Sequence, residues 1–331
     1  MRLGLADIRD TVFITIACAG AGALVLASPP LGLPLCAVAL SWMTYRRNLT
    51  LAVIVAVVAG VIVGLPYVAL MALTTLAMLV VGPYASSAMR NRPAWVVVAV
   101  IALVTVGVTL GMLAAEAAVQ GLSLPGLLQQ FVTQWGEILT QAGTQSGQTA
   151  DAVRQQVDSW KLLLTQTWPA YLLVTSVAGA LLSVWGIGWV GRRAGQELNA
   201  LPSLERLDLS WHLTWGAIAG LGLLALTKSL GITSGALPTI AWNVMLITRA
   251  ALFLQGLAVF SGLYHKARIG RFGRAIGYVF LLITESITPL LIPIGLVSIT
   301  GLVDLWINVR KLPRRGQQPP SVSLEEPEGR A

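Results

Sequence analysis

Charge is scarce in this sequence. Asp, Glu, Lys and Arg make up 11% of the 331 residues, 56% are hydrophobic, and the mean hydropathy is +0.76. So little polar surface cannot cover a water-soluble domain of this size, which leaves a polytopic membrane protein. Cysteine occurs only as Cys18 and Cys36, both inside apolar segments, which excludes a disulfide framework and a spaced ligand set. Histidine is equally rare, and neither His212 nor His265 stands in an HExxH or other zinc spacing, so we expect no metal. No glycine-rich loop is followed by Lys-Ser or Lys-Thr, and Ser234 lacks the glycine two places before it that a nucleophile turn needs. We therefore expect no enzyme, no nucleotide hydrolysis and no cofactor.

What charge there is has a sign: the net formal charge is +8. The basic residues sit in short loops between apolar runs, which is the orientation signal of a membrane protein and not the footprint of a nucleic-acid binder. The start, MRLGLADIRDTVFITIACAGAGALVLA, has the outline of a signal peptide. Asp7 and Asp10 interrupt its basic region, however, and the apolar run continues beyond Pro29-Pro30, so we expect a retained first helix.

Apolar runs predict helices near 11–28, 31–44, 49–64, 66–85 and 94–118, then near 168–190, 212–230 and 238–264. The block from about 275 to 308 reads as a hairpin bent at Pro289 and Pro293, because that places the basic clusters at its two ends on one side. The fold expected is all-α, a transmembrane helix bundle with about 8–10 membrane helices. Segments 31–44 and 275–288 are each about 21 Å long by helical rise, short for a full span, and could be re-entrant half-helices.

Four regions follow: N-terminal membrane helices over 1–118, an extracytoplasmic amphipathic helical hairpin over 119–167, C-terminal membrane helices over 168–311, and a disordered cytoplasmic tail over 312–331. In the hairpin, Leu127, Leu128, Phe131, Trp135, Ile138 and Leu139 share one helical face, as do Val153, Val157, Trp160 and Leu164. Ser123 is placed to cap its first helix. The polar stretch 195–213 connects the two halves, with room for a short surface helix after Pro202. The tail, rich in Pro, Ser and Glu, is too polar to pack.

The segment 238–267 is long enough to span and carries Arg249 near its middle. A cation in hydrocarbon costs at least about 2.5 kcal/mol, so Arg249 must face protein or water. Asn243 and Gln255 flank it, and Glu285 and Asp304 in the next block are carboxylates of comparable depth. These five residues are the expected polar centre: Arg249 to hold an anion or Glu285, the amides to orient a ligand or backbone, and Asp304 close enough to a helix end to pair with Arg310. A second feature is the run of small residues in the first helix, Ala17, Ala19, Ala21 and Ala23. It lets another helix approach closely, either within the bundle or on a partner subunit.

The run LFLQGLAVFSGL at 252–263, a basic loop, an apolar hairpin and then GLVDLWINVRK at 301–311 resemble the YybS-like family of bacterial membrane proteins. The matching motifs are Gln255 to Val259 and the spaced set Gly301, Asp304 and Arg310. The family is of unknown function. Its membrane region is similar to the S components of energy-coupling factor vitamin transporters, which bind a small ligand and rely on partner ATPases and a coupling subunit. The resemblance implies a small-ligand recognition or transport-associated component without its own ATPase. The basic clusters fall on one side when both termini are cytoplasmic, the orientation expected in the bacterial cytoplasmic (inner) membrane. The small-residue face would then dock a partner. The alternative is a non-transporting scaffold that recruits cell-envelope or division proteins. The lipid bilayer is a partner on either reading, and nucleic acid is not.

Overall fold

The computed structural model describes residues 5–64, 68–145, 149–287 and 295–312. Among them there is no strand. The helices are α1 (Leu5–Ala27), α2 (Pro29–Arg46), α3 (Leu49–Gly64), α4 (Val68–Leu79), α5 (Ala85–Asn91), α6 (Ala94–Val119), α7 (Leu124–Gln145) and α8 (Ala150–Arg193). After a 3₁₀ turn at Leu204–Arg206 come α9 (Leu213–Ser229), α10 (Ala236–Lys266), α11 (Arg271–Ile287) and α12 (Leu296–Ile307). Helices form at each expected apolar run. Among the described residues, four stretches are long and apolar enough to cross a membrane: Leu70–Asn91, Ala94–Val119, Asp151–Arg193 and Ala236–Lys266. α3, α9 and α12 are shorter apolar helices.

The chain forms two compact units, Met1–Leu201 with Gly222–Ile247, and Pro202–Leu221 with Thr248–Ala331. α9 and α10 each contribute to both.

In the first unit α2 is the centre, packed by α1, α3, α6 and α8. Pro29 and Pro30 occupy its first turn, where a missing N–H leaves no helical bond unmade. Its approach to α8 is close because Gly179 has no side chain; a Cβ there would meet the Pro30 carbonyl oxygen. α3 and α4 touch in the same way, Gly60 lying against the Thr75 backbone, and Thr74 Oγ1 donates across to the Gly60 carbonyl at 2.8 Å. α4 and α5 are one helix interrupted by a π turn over Val80–Tyr84, which accommodates Pro83 without ending the helix. Cationic side chains lie over aromatic rings at helix ends, with the Arg193 guanidinium 4.0 Å from the Trp189 centroid and that of Arg46 4.9 Å from Trp42.

Two expectations are corrected here. The helix expected to begin near 168 is continuous with the amphipathic helix before it: α8 runs unbroken for 44 residues, with Pro169 inside it. Asn243 of α10 bonds the backbone on both sides of Pro169, as described below. The turn expected at 143–147 starts later, because α7 continues to Gln145; 146–148 lie outside the described residues. Ser123 does cap α7, its Oγ accepting from the Gly126 N–H at 3.3 Å. The bend expected at Pro289 and Pro293 and the tail from 313 also lie outside the described residues.

In the second unit, α11 at 17 residues and α12 at 12 are each shorter than the roughly 20 residues needed to cross hydrocarbon. Ala217, Leu252 and Leu305 form its apolar core, with Leu213 and Leu302 packed against them.

Candidate functional site

The buried residues of α12 are Val297, Ser298, Gly301, Asp304 and Leu305, a helical stripe that carries a hydroxyl and a carboxylate on its inner face. Gly301 and Gly256 make that stripe accessible to α10. A Cβ on Gly301 would meet the Leu252 carbonyl oxygen, and one on Gly256 the Val297 carbonyl oxygen. Two backbones in contact leave no room for water, so any polar group beside the crossing must be satisfied by protein.

On one side of this crossing stands Asp304, with none of its surface exposed. Arg310 donates to Asp304 Oδ2 from Nε at 3.0 Å and from NH2 at 2.9 Å. Its NH1 donates to the carbonyls of Glu205 and Leu207, at 3.0 and 2.7 Å, and its NH2 lies 3.5 Å from Asp208 Oδ1. Gln255, also fully buried, donates from Nε2 to Asp304 Oδ2 at 2.9 Å and to Asp208 Oδ1 at 3.1 Å. Its Oε1 accepts from the Leu209 N–H at 3.0 Å. The geometry that lets Arg310 turn back is the end of α12. Asn308 takes a left-handed φ of 49° there and its side chain ties to both backbone polar groups of Leu312 at 2.9 Å. The residues of the two motifs quoted above, QGLAV and GxxDxxxxxR, therefore meet in one cluster.

On the other side stands Glu285. Arg249 donates to its Oε1 from Nε at 3.1 Å and to its backbone carbonyl from NH2 at 2.9 Å. Ser298 Oγ donates to Oε1 at 2.6 Å, and the Val297 N–H in the first turn of α12 donates to Oε2 at 3.2 Å. The carboxylate thus sits at a helix start, where unpaired N–H groups and the helix dipole favour a negative charge. Arg249 is about 20 Å from the start of α10 and about 26 Å from its end by helical rise, close to the middle of a spanning helix. An anion held there has a guanidinium, a hydroxyl and a backbone N–H as its donors.

Asn243 belongs to neither cluster. It lies in the first unit, against the turn of α8 that carries Pro169. Its Oδ1 accepts from the Ala170 N–H at 2.8 Å and its Nδ2 donates to the Gln166 carbonyl at 2.6 Å. Those two groups stand four residues apart, the spacing of a helical hydrogen bond, on either side of Pro169. Gln166 is fixed in turn, its Nε2 donating to the Thr233 carbonyl at 2.9 Å.

The five expected polar residues therefore occupy three places: Arg249 with Glu285, Gln255 with Asp304, and Asn243 with the α8 backbone. Of the small-residue face, Ala21 is buried, Ala19 partly exposed and Ala17 exposed, while the side chain of Ala23 lies outside the described residues. The close face of α1 is Cys18, Ala21, Gly22 and Val25, with Gly32 of α2 against the Ala21 carbonyl. Sequence reasoning missed Ser298 and Asp208 as partners. Ser298 carries a legible signal, since it falls on the same helical face as Gly301 and Leu305; Asp208, in an irregular segment, carries none.

No curated protein and no solved structure matches this chain. The family described as predicted membrane protein (DUF2232) matches residues 14–305, most of the sequence, and the chain belongs to that family of membrane proteins.

Proposed function

We propose that the protein recognises a small anionic ligand within the bilayer, as a transport-associated component without catalysis or an ATPase of its own. The observation that carries this reading is the Glu285 carboxylate. It is held by Arg249, Ser298 and the first turn of α12, near the middle of α10, in the position an anionic ligand group would take. Half-helix starts facing anions near the bilayer midplane are a recurrent arrangement in transporters, and ionisable groups at that depth are functional by default. The resemblance to the YybS-like family and to the S components of energy-coupling factor transporters points the same way. On this reading the protein lies in the cytoplasmic membrane with both termini cytoplasmic, and cysteine accessibility at each terminus checks that orientation.

The test uses the full chain in lipid nanodiscs, titrated with acetate, lactate and succinate while thermal unfolding is followed. Glu285→Gln removes the resident charge and keeps the shape, so a carboxylate should bind it at least tenfold more tightly than the wild type. Arg249→Gln should abolish the response. If no carboxylate stabilises either the wild type or a well-folded Glu285→Gln protein, the pair is structural.

A second reading, a scaffold that recruits envelope or division proteins, is favoured by a different observation. Phe131, Trp135, Ile138 and Leu139 lie exposed along one face of α7. Mass spectrometry of proteins purified with the intact chain separates the two. A stoichiometric ATPase pair with a coupling subunit supports transport, and envelope-building proteins without an ATPase support the scaffold.

A further inference from the structure

α7 and the start of α8 form an antiparallel pair in which Gly136 faces Val157 and Gly143 faces Val153. Along them runs an open groove of about 410 Å³, within the size range of small-molecule sites. Residues 124–167 contain five charged side chains, Glu137, Asp151, Arg154, Asp158 and Lys161, and all but Asp151 line this groove. Thr140 and Gln141 add neutral hydrogen-bonding groups to the wall that carries Glu137.

The charges do not neutralise one another across the gap. Among the described residues the ion pair here is Asp158 with Lys161, 3.7 Å apart one turn along the same helix, and none joins Glu137 of α7 to Arg154 or Lys161 of α8. Lys161 crosses to α7 over Gly136 and pairs with Asp158, while the Glu137 carboxylate and the Arg154 guanidinium form no ion pair with each other, so the groove offers one group of each sign to a molecule carrying both. With Arg192 at one face of the membrane, the groove also falls outside hydrocarbon. Lys161 and Arg154 lie about 46 and 57 Å from Arg192 along the continuous α8, beyond a hydrocarbon core about 30 Å thick.

We propose that this groove binds a small zwitterion, its ammonium group toward Glu137 and its anionic group toward Arg154. The ligand chemistry is that of an ammonium joined by a short chain to a phosphate or carboxylate, present both in free metabolites and in a zwitterionic lipid headgroup. The site is separate from Glu285 and stands whether or not that residue marks an anion site.

The experiment titrates the full chain, in nanodiscs of phosphatidylglycerol alone, with O-phosphoethanolamine by calorimetry. Ethanolamine and inorganic phosphate serve as single-charge controls. Saturable binding is expected, at least tenfold tighter than either control, and at least tenfold weaker in Glu137→Gln and in Arg154→Gln. Both residues are exposed, so the fold is expected to persist, checked by circular dichroism and elution volume. The exchange Glu137→Lys with Arg154→Glu preserves net charge and should lose the same affinity. A second arm adds phosphatidylethanolamine and reads retained lipid by native mass spectrometry. Preferential retention that depends on Glu137 and Arg154, without binding of the soluble probe, identifies the headgroup as the source. Phosphate binding as tightly as phosphoethanolamine overturns the proposal. So does the absence of a variant-sensitive response in both arms.

Discussion

The two compact units hold their helices by different means. In the first, contact is made by small residues and backbone: Gly179 against Pro30, Gly60 against Thr75, and polar side chains such as Thr74 and Asn243 that bond to carbonyls or N–H groups. In the second the backbones also meet, at Gly256 and Gly301, and buried charge joins the elements as well: Arg310 with Asp304 and Asp208, and Arg249 with Glu285. Each interaction has its own requirement. A backbone contact needs its glycine, since a Cβ at Gly60 or Gly179 would meet backbone atoms of the facing helix. A buried charge must keep all its partners, since removing one leaves the other ionised in a medium that cannot solvate it.

The sharpest way to break the comparison is Arg310→Ala. Asp304 would remain buried without its cation, and we expect a loss of about 3 to 5 kcal/mol, read as a large fall in the thermal midpoint of the detergent-solubilised protein. Arg310→Lys should recover little, because one ammonium cannot reach two carboxylates and the carbonyls of Glu205 and Leu207 together.

Next in size is the Arg249 and Glu285 pair. Arg249→Ala and Glu285→Ala should each destabilise by about 2 kcal/mol, and the double variant should be no worse than the milder single one. A double-mutant cycle by thermal unfolding checks this, and additive losses would show that the two side chains act separately.

The smallest effect belongs to the first unit. Asn243→Leu leaves the Ala170 N–H and the Gln166 carbonyl without the bridging amide, and we expect about 1 to 2 kcal/mol of destabilisation with faster amide exchange around 166–171. Adding Pro169→Ala should restore most of it, because without the proline ring the turn can tighten and the Ala170 N–H can bond the Gln166 carbonyl directly. An unrescued double variant would place the importance of Asn243 elsewhere.

Hydrophobic runs made the helices legible, because a chain with so few charges has little but helical hydrogen bonding with which to satisfy its backbone in lipid. Arg249 and Glu285 were legible as partners for the same reason: a charge at that depth needs a counter-charge, and few were available. Asn243 misled, since an amide inside a spanning helix signals a partner without saying which. Its partners are the Gln166 carbonyl and the Ala170 N–H, on either side of Pro169. α8 was also read too short. Proline in sequence looks like an end, yet Pro169 lies inside the helix, with the Asn243 amide of α10 against its turn.

By itself, then, the sequence determined that this is an all-α membrane protein, where its helices lie and which residues are too costly to leave unpaired, because burial and backbone satisfaction are properties of local composition. The tertiary structure decided the pairings: Gln255 to Asp304, Arg310 to Asp208, Glu285 to the first turn of α12, Asn243 to α8. Those depend on which helix faces which, fixed by the close approach of backbones at Gly256 and Gly301 and by the turn at Pro169, and no local pattern specifies the partner.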